Sequence, residues 1–290
     1  MKPAPFEYVR PDSVSAAVAT LAEHGGMARV LAGGQSLVPM LGMRLMRPSA
    51  VVDINRLGEE LGEIEARGSE TTIGALVRYT EAERSPVISE RLPLLRTAIR
   101  YVGDRQVRNR GTLGGAVAQS DPTGEVALVC LTLGATVLAT GPGGERELPA
   151  DGFFVGSYAN ALAPEEMITG LRFGVVPARC AFFERGRKHN DFALLSLAVA
   201  ATPEPDGTWR EVRIGMGGMN DTPVLARAAA ARLEGQRWDD AALAEAAELA
   251  LQDADPPEDV RASAEYRVHL LPVHLRRLLQ RLGEEEPRHG

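Results

Sequence analysis

The chain has 290 residues, 44% of them hydrophobic and 24% charged, with a formal net charge of −7. That composition is globular, and the length suffices for two domains of ordinary size. No apolar stretch approaches the ~18–20 residues of a membrane span, and the acidic balance argues against a general nucleic-acid binder.

In chain order, Asp12-Ser13 can cap a helix with apolar positions Val14, Ala17, Val18 and Leu21, which Gly25-Gly26 ends. Residues 28–31 read as a short buried strand running into Ala32-Gly33-Gly34-Gln35-Ser36-Leu37. Leu37, Met40, Leu41, Met43, Leu45 and Met46 then suggest a helical turn or two, stopped by Pro48. The Met40, Met43, Met46 spacing predicts core or interface packing rather than a metal site. Residues 51–54 form another strand, so the start is βαβ-like with a parallel pair. Residues 62–74 read as strand, turn, strand, and helices follow over 80–85 and 93–102. Next comes Asn109-Arg110-Gly111-Thr112-Leu113-Gly114-Gly115-Ala116. Residues 124–133 are apolar and helix-length; 135–140 and 146–148 make a hairpin around Gly141-Pro142-Gly143-Gly144; residues 166–173 form a further strand.

The order is mixed, which predicts an α+β fold. Pro177 marks a boundary near residues 174–178. Beyond it, 194–202 and 210–216 read as an antiparallel pair, followed by helices over 224–233, 241–252 and 257–282. The expected organisation is a first domain over 1–176, a second over 177–284 and a frayed tail over 285–290.

The two glycine blocks carry the clearest chemistry. Adjacent glycines let backbone approach a ligand closely and turn sharply, and their N–H groups can converge on an anion such as a diphosphate. Two such blocks suggest one extended ligand held from two sides. Neither matches the Gly-x-Gly-x-x-Gly dinucleotide fingerprint, and there is no phosphate-binding Gly-Lys-Ser/Thr loop or Gly-x-Ser-x-Gly nucleophile elbow. Cys130 and Cys180 are the only cysteines and do not form a Cys-x-x-Cys pair. A disulfide framework, a zinc site and a four-thiolate iron–sulfur cluster are therefore not expected. His269 and His274 are five apart and share no helix face, which predicts ordinary helix-surface residues; no metal site is expected. Met1-Lys2-Pro3-Ala4-Pro5-Phe6 lacks a signal-peptide core, so a cytoplasmic location is expected. Arg105, Arg108 and Arg110 form a cluster expected to be a solvated face or a brace for the second glycine loop.

The first block, Gln106 to Gly115 and Asp121-Pro122 together resemble the FAD-binding medium subunit of molybdenum hydroxylases, the family of carbon monoxide dehydrogenase and xanthine dehydrogenase. Phe6-Glu7-Tyr8-Val9-Arg10-Pro11, Ile73-Gly74-Ala75, Asp191-Phe192-Ala193 and Ser263-Ala264-Glu265-Tyr266-Arg267 extend the likeness over almost the whole chain in order. The resemblance implies a two-part FAD-binding domain of the vanillyl-alcohol oxidase or p-cresol methylhydroxylase type. A smaller α+β domain with a three-stranded antiparallel sheet and helices would follow it. It implies non-covalent FAD held by Leu31, Ala32, Gly33, Gly34, Gln35, Ser36 and Leu37 on one side, and by Gly111, Thr112, Leu113, Gly114, Gly115 and Ala116 on the other. Asp121 and Glu125 would lie near the ribityl or ribose hydroxyls, Ile168 would reach the adenine side through its main chain, and Lys188 and Phe192 would lie by the ring. The chain departs from many relatives at Ala116 (often Asn), Glu184 (Lys in some) and Phe192 (Tyr in some).

The implied activity is that of an electron-transfer subunit. It would accept electrons from a small [2Fe–2S] subunit, pass them to an external acceptor, and leave substrate oxidation to a large molybdopterin subunit. The implied assembly is a dimer of heterotrimers, with no catalytic acid, base or nucleophile in this chain. The alternatives are a free-standing FAD-dependent oxidoreductase of the same fold and a non-enzymatic scaffold.

Overall fold

The computed structural model describes residues 2–188 and 191–284; the tail expected over 285–290 lies outside the described residues. The chain opens with β1 (Glu7–Val9), α1 (Val14–Glu23), β2 (Ala28–Leu31), α2 (Leu37–Gly42) and β3 (Ala50–Asp53). The three strands form a parallel sheet in the order β1-β3-β2, as the βαβ pattern predicts. Ser13 caps α1 by accepting a hydrogen bond from Ala16 N at 3.2 Å. The helix's predicted apolar positions are all buried, in a core that includes Ala28, Ala50 and Val52.

The apolar run after Ser36 forms less helix than its pattern suggests. Helix α2 stops at Gly42 and Arg44 turns left-handed with φ 60°. The helical spacing of the methionines is therefore not realised. Leu41 is the one buried side chain of α2, while Val38, Met43 and Leu45 face solvent.

A 3₁₀ turn at Asn55–Leu57 and the short α3 (Gly58–Leu61) lead to β4 (Ile64–Arg67) and β5 (Glu70–Gly74). A helical insertion follows: α4 (Tyr79–Arg84), α5 (Pro86–Arg91), α6 (Pro93–Ile99), α7 (Arg105–Arg110), α8 (Leu113–Gln119) and α9 (Glu125–Leu133). Sequence periodicity misses α5 and α7, which span under two turns each and are set by their caps. Ser85 precedes Pro86 at the first position of α5, and Asp104 Oδ1 accepts from Val107 N at 3.0 Å in α7. The chain returns through β6 (Thr136–Gly141), β7 (Gly144–Pro149), a small hairpin of β8 (Phe154–Gly156) and β9 (Ala159–Asn160), and β10 (Met167–Phe173). Strands β4-β5-β10-β6-β7 form an antiparallel sheet in that order.

The remainder is β11 (Arg179–Arg185), β12 (Leu195–Pro203), β13 (Trp209–Gly217), β14 (Val224–Leu225), α10 (Arg227–Leu233), α11 (Asp240–Leu249) and α12 (Ala264–Glu284). The sheet has three long antiparallel strands, as expected, and the two-residue β14 on the edge of β13. Residues 224 and 225, expected to begin a helix, pair with β13 instead. Helix α12 starts at Ala264, later than expected, after an irregular stretch in which Asp259 Oδ1 accepts from Arg261 N and Ala262 N. His274, expected on the surface, is half-buried and stacks on Phe183 at 4.3 Å.

One face of this sheet packs on helices α10–α12 through Leu197, Val199, Ile214 and Met216. The opposite face joins the first domain's core through Phe182, Ala198 and Ala200. Helix α9 lies against that second face, with every residue from Val126 to Leu133 buried. Glycines on β13 permit the approach. A Cβ at Gly215 would lie 2.1 Å from Thr132 Oγ1 and 2.8 Å from Leu128 Cδ1. Arg213 closes the far end of α9 by donating to Leu133 O at 2.7 Å.

The buried Arg267 fastens the near end of the sheet. Its Nη1 donates to Leu194 O at 2.7 Å and Gly218 O at 3.1 Å, and its Nη2 to Asp259 Oδ2 at 3.0 Å. This accounts for the arginine in the Ser263–Arg267 motif. Gly215→Ala is expected to destabilise the chain by about 1–3 kcal/mol through overpacking, read from a denaturant titration. An unchanged midpoint would show that α9 is free to shift.

Candidate cofactor site

The first glycine block occupies the turn from β2 into α2, where Gly34 has φ +73°. Among the described residues, no hydrogen bond takes up the backbone N–H of Gly33, Gly34, Gln35 or Ser36. Ser36 sits at the N-cap of α2 with its hydroxyl uncommitted to the helix. The result is a row of unengaged donors at a half-exposed strand-to-helix turn, chemistry suited to an anion.

The second block is built differently. Thr112 caps α8, with Oγ1 accepting from Gly115 N at 3.1 Å. Gly111 N donates to Val107 O, Leu113 N to Val77 O, Gly114 N to Ala75 O and Ala116 N to Thr112 O. Most of its N–H groups are thus committed within the fold. Leu113 is fully buried, and a Cβ at Gly114 would lie 2.6 Å from Ala75 Cβ, so this glycine lets α8 pack on the Ile73-Gly74-Ala75 segment. Gly115 is exposed, and a Cβ there would crowd only its own cap, 2.7 Å from Thr112 Oγ1. Gly115, with Ala116 half-exposed beside it, leaves this side of the groove open.

The two blocks touch. A Cβ at Gly33 would lie 2.3 Å from Arg110 O and 2.8 Å from Gly111 Cα. Beneath the contact runs a side-chain relay that sequence reading missed. Asn55 Nδ2 donates to Ala32 O at 2.9 Å, on the first block. Asn55 Oδ1 accepts from Arg78 Nη2 at 2.7 Å, and Arg78 Nη1 donates to Arg110 O at the second block. Asp53 holds Asn55 through Oδ1, 3.0 Å from its N and 2.6 Å from its Nδ2. On its other oxygen Asp53 accepts from Tyr8 OH, and Arg10 Nε lies 3.8 Å away. Tyr8 and Arg10 of the amino-terminal motif therefore converge on one carboxylate. Burial raises its pKa, but the hydrogen bonds from Tyr8 and Asn55 prevail and hold it below the usual carboxylate range. Of the arginine cluster, Arg108 braces the preceding loop by donating to Val102 O and Gly103 O.

Beyond Gly115, α8 runs to Gln119 and leads to the turn before α9. Asp121 Oδ1 accepts from Thr123 N at 2.9 Å and Thr123 Oγ1 at 2.8 Å, while Oδ2 lies 3.5 Å from Tyr158 OH. Glu125 heads α9, where burial pushes its carboxyl up to about 7, with Asp121 adding to the effect. Tyr79 links this carboxyl to the second block: its ring covers Gly111, and Glu125 and Asp121 reinforce the raising effect of burial on its phenol. Phe192 is 50% exposed, with Arg261 over its ring at 4.6 Å. Lys188 is exposed, and His189 beside it in sequence lies outside the described residues. The side chain of Ile168 is buried in the first core, which leaves its main chain as the part able to face a ligand. Leu31, Ala32 and Leu37 are half-buried around the first turn. Two surface hollows of about 260 and 410 Å³ lie elsewhere, lined by Leu131, Asp151, Leu225 and Arg227 among others, and neither includes a residue of the glycine blocks.

Both parts of the chain have counterparts among known proteins. Residues 4–175 match the FAD binding domain in molybdopterin dehydrogenase, and residues 181–282 match the CO dehydrogenase flavoprotein C-terminal domain. The chain is 36% identical to the 6-hydroxypseudooxynicotine dehydrogenase complex subunit alpha of Paenarthrobacter nicotinovorans, over 96% of this chain and 95% of that one. It is also 36% identical to the carbon monoxide dehydrogenase medium chain of Hydrogenophaga pseudoflava, over 96% and 97% of the two chains. Among solved structures it superposes on reconstituted CO dehydrogenase from Oligotropha carboxidovorans with a TM-score of 0.95 and 35% identity, covering 99% of this chain and 100% of that one.

Asn55→Ala removes the relay's central member and is expected to weaken FAD binding roughly tenfold, about 1–2 kcal/mol, in a flavin-fluorescence titration. Gly115→Val places a branched side chain in the open part of the groove and is expected to abolish FAD retention while circular dichroism stays native. A folded Gly115→Val variant that binds FAD as the parent does would remove this glycine from the site.

Proposed function

The chain belongs to the family of FAD-binding subunits of molybdopterin dehydrogenases, and we propose that its glycine loops grip one non-covalent FAD between them. The observation that carries this reading is the row of unengaged N–H groups from Gly33 to Ser36, closed on one side by the backbone of Arg110 and Gly111. A diphosphate fits that donor set. The chain's net charge of −7 gives no long-range attraction for an anion, so local dipoles must do the holding.

The residues have distinct tasks. Gly33, Gly34, Gln35 and Ser36 present donors, and Leu31, Ala32 and Leu37 wall the turn. Thr112, Gly115 and Ala116 line the opposite side, which Gly111, Leu113 and Gly114 support by fixing the backbone. Asp121 and Glu125 offer carboxyl oxygens to ligand hydroxyls, Ile168 a main-chain contact, and Lys188 and Phe192 the ring end. Bound FAD would supply a carrier able to exchange electrons one or two at a time, and the chain's part is binding, orientation and electrostatics.

The oxidation itself belongs to other chains. Two cysteines cannot ligate a four-thiolate cluster, and among the described residues no group of His, Cys, Asp and Glu could hold a metal. We infer a large molybdopterin subunit that oxidises substrate and a small [2Fe–2S] subunit that delivers electrons to this chain. The external acceptor is reached from here, and the assembly is a dimer of heterotrimers. Among the described residues no helix is long and apolar enough to cross a membrane, and the cytoplasm is the compartment proposed.

Expression with the neighbouring genes for two such partners should give a three-polypeptide complex. Acid precipitation should release its flavin into the supernatant and leave this chain colourless. A monomer that oxidises a small molecule unaided would favour a free-standing oxidoreductase. A preparation that takes up no FAD would sink both readings.

A further inference from the structure

The relay between the glycine blocks depends on the orientation of one amide. Asn55 Nδ2 commits both hydrogens, to Ala32 O at 2.9 Å and to Asp53 Oδ1 at 2.6 Å, while Asn55 Oδ1 accepts from Arg78 Nη2 at 2.7 Å. Turned over, the amide would set its oxygen against a carbonyl and a carboxylate, which only accept. Its NH₂ would meet a guanidinium, which only donates. A carboxylate at Asp53 therefore admits one orientation, the one that ties Ala32 O to Arg78 and, through Arg78, to Arg110 O. A protonated carboxyl could donate to the amide oxygen instead and would lift that restriction.

We propose that Tyr8 and Arg10 are positioning residues for the cofactor loops: they fix the Asp53 carboxylate, which fixes the Asn55 amide, which keeps the two glycine blocks in contact. The consequence for a cofactor rests on the flavin reading above; the consequence for the loops does not. Asp53 is buried at the end of the central strand β3. Its Oδ1 is taken up by Asn55 N and Nδ2. Partners for Oδ2 come from the amino-terminal segment, where Tyr8 OH donates to it and Arg10 Nε lies 3.8 Å away. The parallel register, with Tyr8 beside Val51, carries this segment along β3 towards Asp53. Ser49 O anchors the segment by accepting from Glu7 N at 2.8 Å, and Arg44 Nε donates to Lys2 O at 3.1 Å. Tyr8 and Arg10 are themselves exposed, so neither is needed to fill a core. Without them a buried carboxylate oxygen would lose its donors. The carboxyl would then hold a proton more readily or turn outward, and either change releases Asn55.

The titratable and charged groups around Asp53 act in one direction. Tyr8 and Arg10 face it from the amino-terminal segment, Arg56 on the following turn acts on Tyr8, and Arg78 after β5 feels the Asp53 charge together with those of Arg110 and Glu81. Burial raises the Asp53 carboxyl, but the hydrogen bonds from Tyr8 and Asn55 and the charge of Arg10 outweigh it and hold the group below the usual carboxylate range. A group depressed in this way acts above its folded pKa and loses its effect as pH falls through it. The intact relay thus persists at neutral and mildly acidic pH, and loss of Tyr8 and Arg10 raises the pH at which it fails.

The test uses the full chain stripped of flavin and titrated with FAD from pH 8 to pH 5, with circular dichroism to monitor the fold. The wild type should bind with constant affinity. Tyr8→Phe removes only a hydroxyl from an exposed ring and should weaken binding about threefold at pH 7. Combined with Arg10→Gln, it should also make affinity fall on acidification, by at most about tenfold per pH unit for one proton. Asp53→Asn added to that pair cannot titrate and should return a flat profile at reduced affinity, which a general loss of stability would not do. A flat profile in the Tyr8→Phe, Arg10→Gln chain, or a slope that survives Asp53→Asn, overturns the proposal. A second readout needs no flavin: amide hydrogen exchange at Gly111, Leu113 and Gly114, whose N–H groups are bonded within the second block. Relative to the wild type at the same pH, exchange there should quicken in the double variant as pH falls. That response in a chain that takes up no FAD would defeat the flavin reading and leave the relay standing. Unchanged exchange and affinity in a double variant that binds FAD would do the reverse.

Discussion

Backbone meeting backbone at Gly33 is the constraint on which the site depends. With the place of a Cβ only 2.3 Å from Arg110 O, no other residue fits without parting the loops. The strand-to-helix turn of the first lobe is thereby pressed onto the α7–α8 turn of the second, although the two are far apart in sequence. Much of the surrounding chemistry can be read as holding that contact shut. Asn55 ties to the first loop, Arg78 to the second and the two to each other. Asp53, with Tyr8 and Arg10 upon it, fixes Asn55 from below. A close backbone contact offers little attraction of its own, so polar side chains on both sides must keep it closed. The reward is preorganisation: donors left unengaged on a fixed loop need less ordering when a ligand arrives.

A second contact seats α9 on the face of the β11–β13 sheet. Gly215 and Gly217 remove the side chains that would hold helix and sheet apart. The resulting junction is continuous with the first core, since Phe182, Ala198 and Ala200 pack there. The position of Asp121 and Glu125 at the head of α9 is thereby fixed by packing between the two parts of the chain.

The legibility of these features in the sequence follows from how local each one is. The β2–α2 turn was readable because strand, glycines and helix are contiguous and each has its own signal. The second block was readable as a site but not in detail: Gly114 and Gly115 look alike, yet one is buried on Ala75 and the other open. That difference depends on which side of α8 meets β5, which no local pattern states. Asn55 and Arg78 were missed because their bonds reach across 23 and 32 positions and neither residue type announces such a role. Strand β11 has an irregular mix of charged and apolar residues, so the half-burial of Glu184 could not be inferred either. The methionines erred in the opposite direction, because their spacing was real but the helix ended before it could matter.

The glycine blocks and the head of α9 therefore differ electrostatically. At the glycine end, fixed backbone dipoles face an anion, and no group there needs to change protonation for the donors to persist. At the head of α9 the first-turn backbone has no side-chain cap, so N–H donors stand there beside the carboxyl groups of Asp121 and Glu125. Such a division suits a long cofactor with a permanently charged diphosphate at one place and hydroxyl groups at another. The diphosphate is best met by dipoles that never vary, and hydroxyls by carboxyl oxygens that accept.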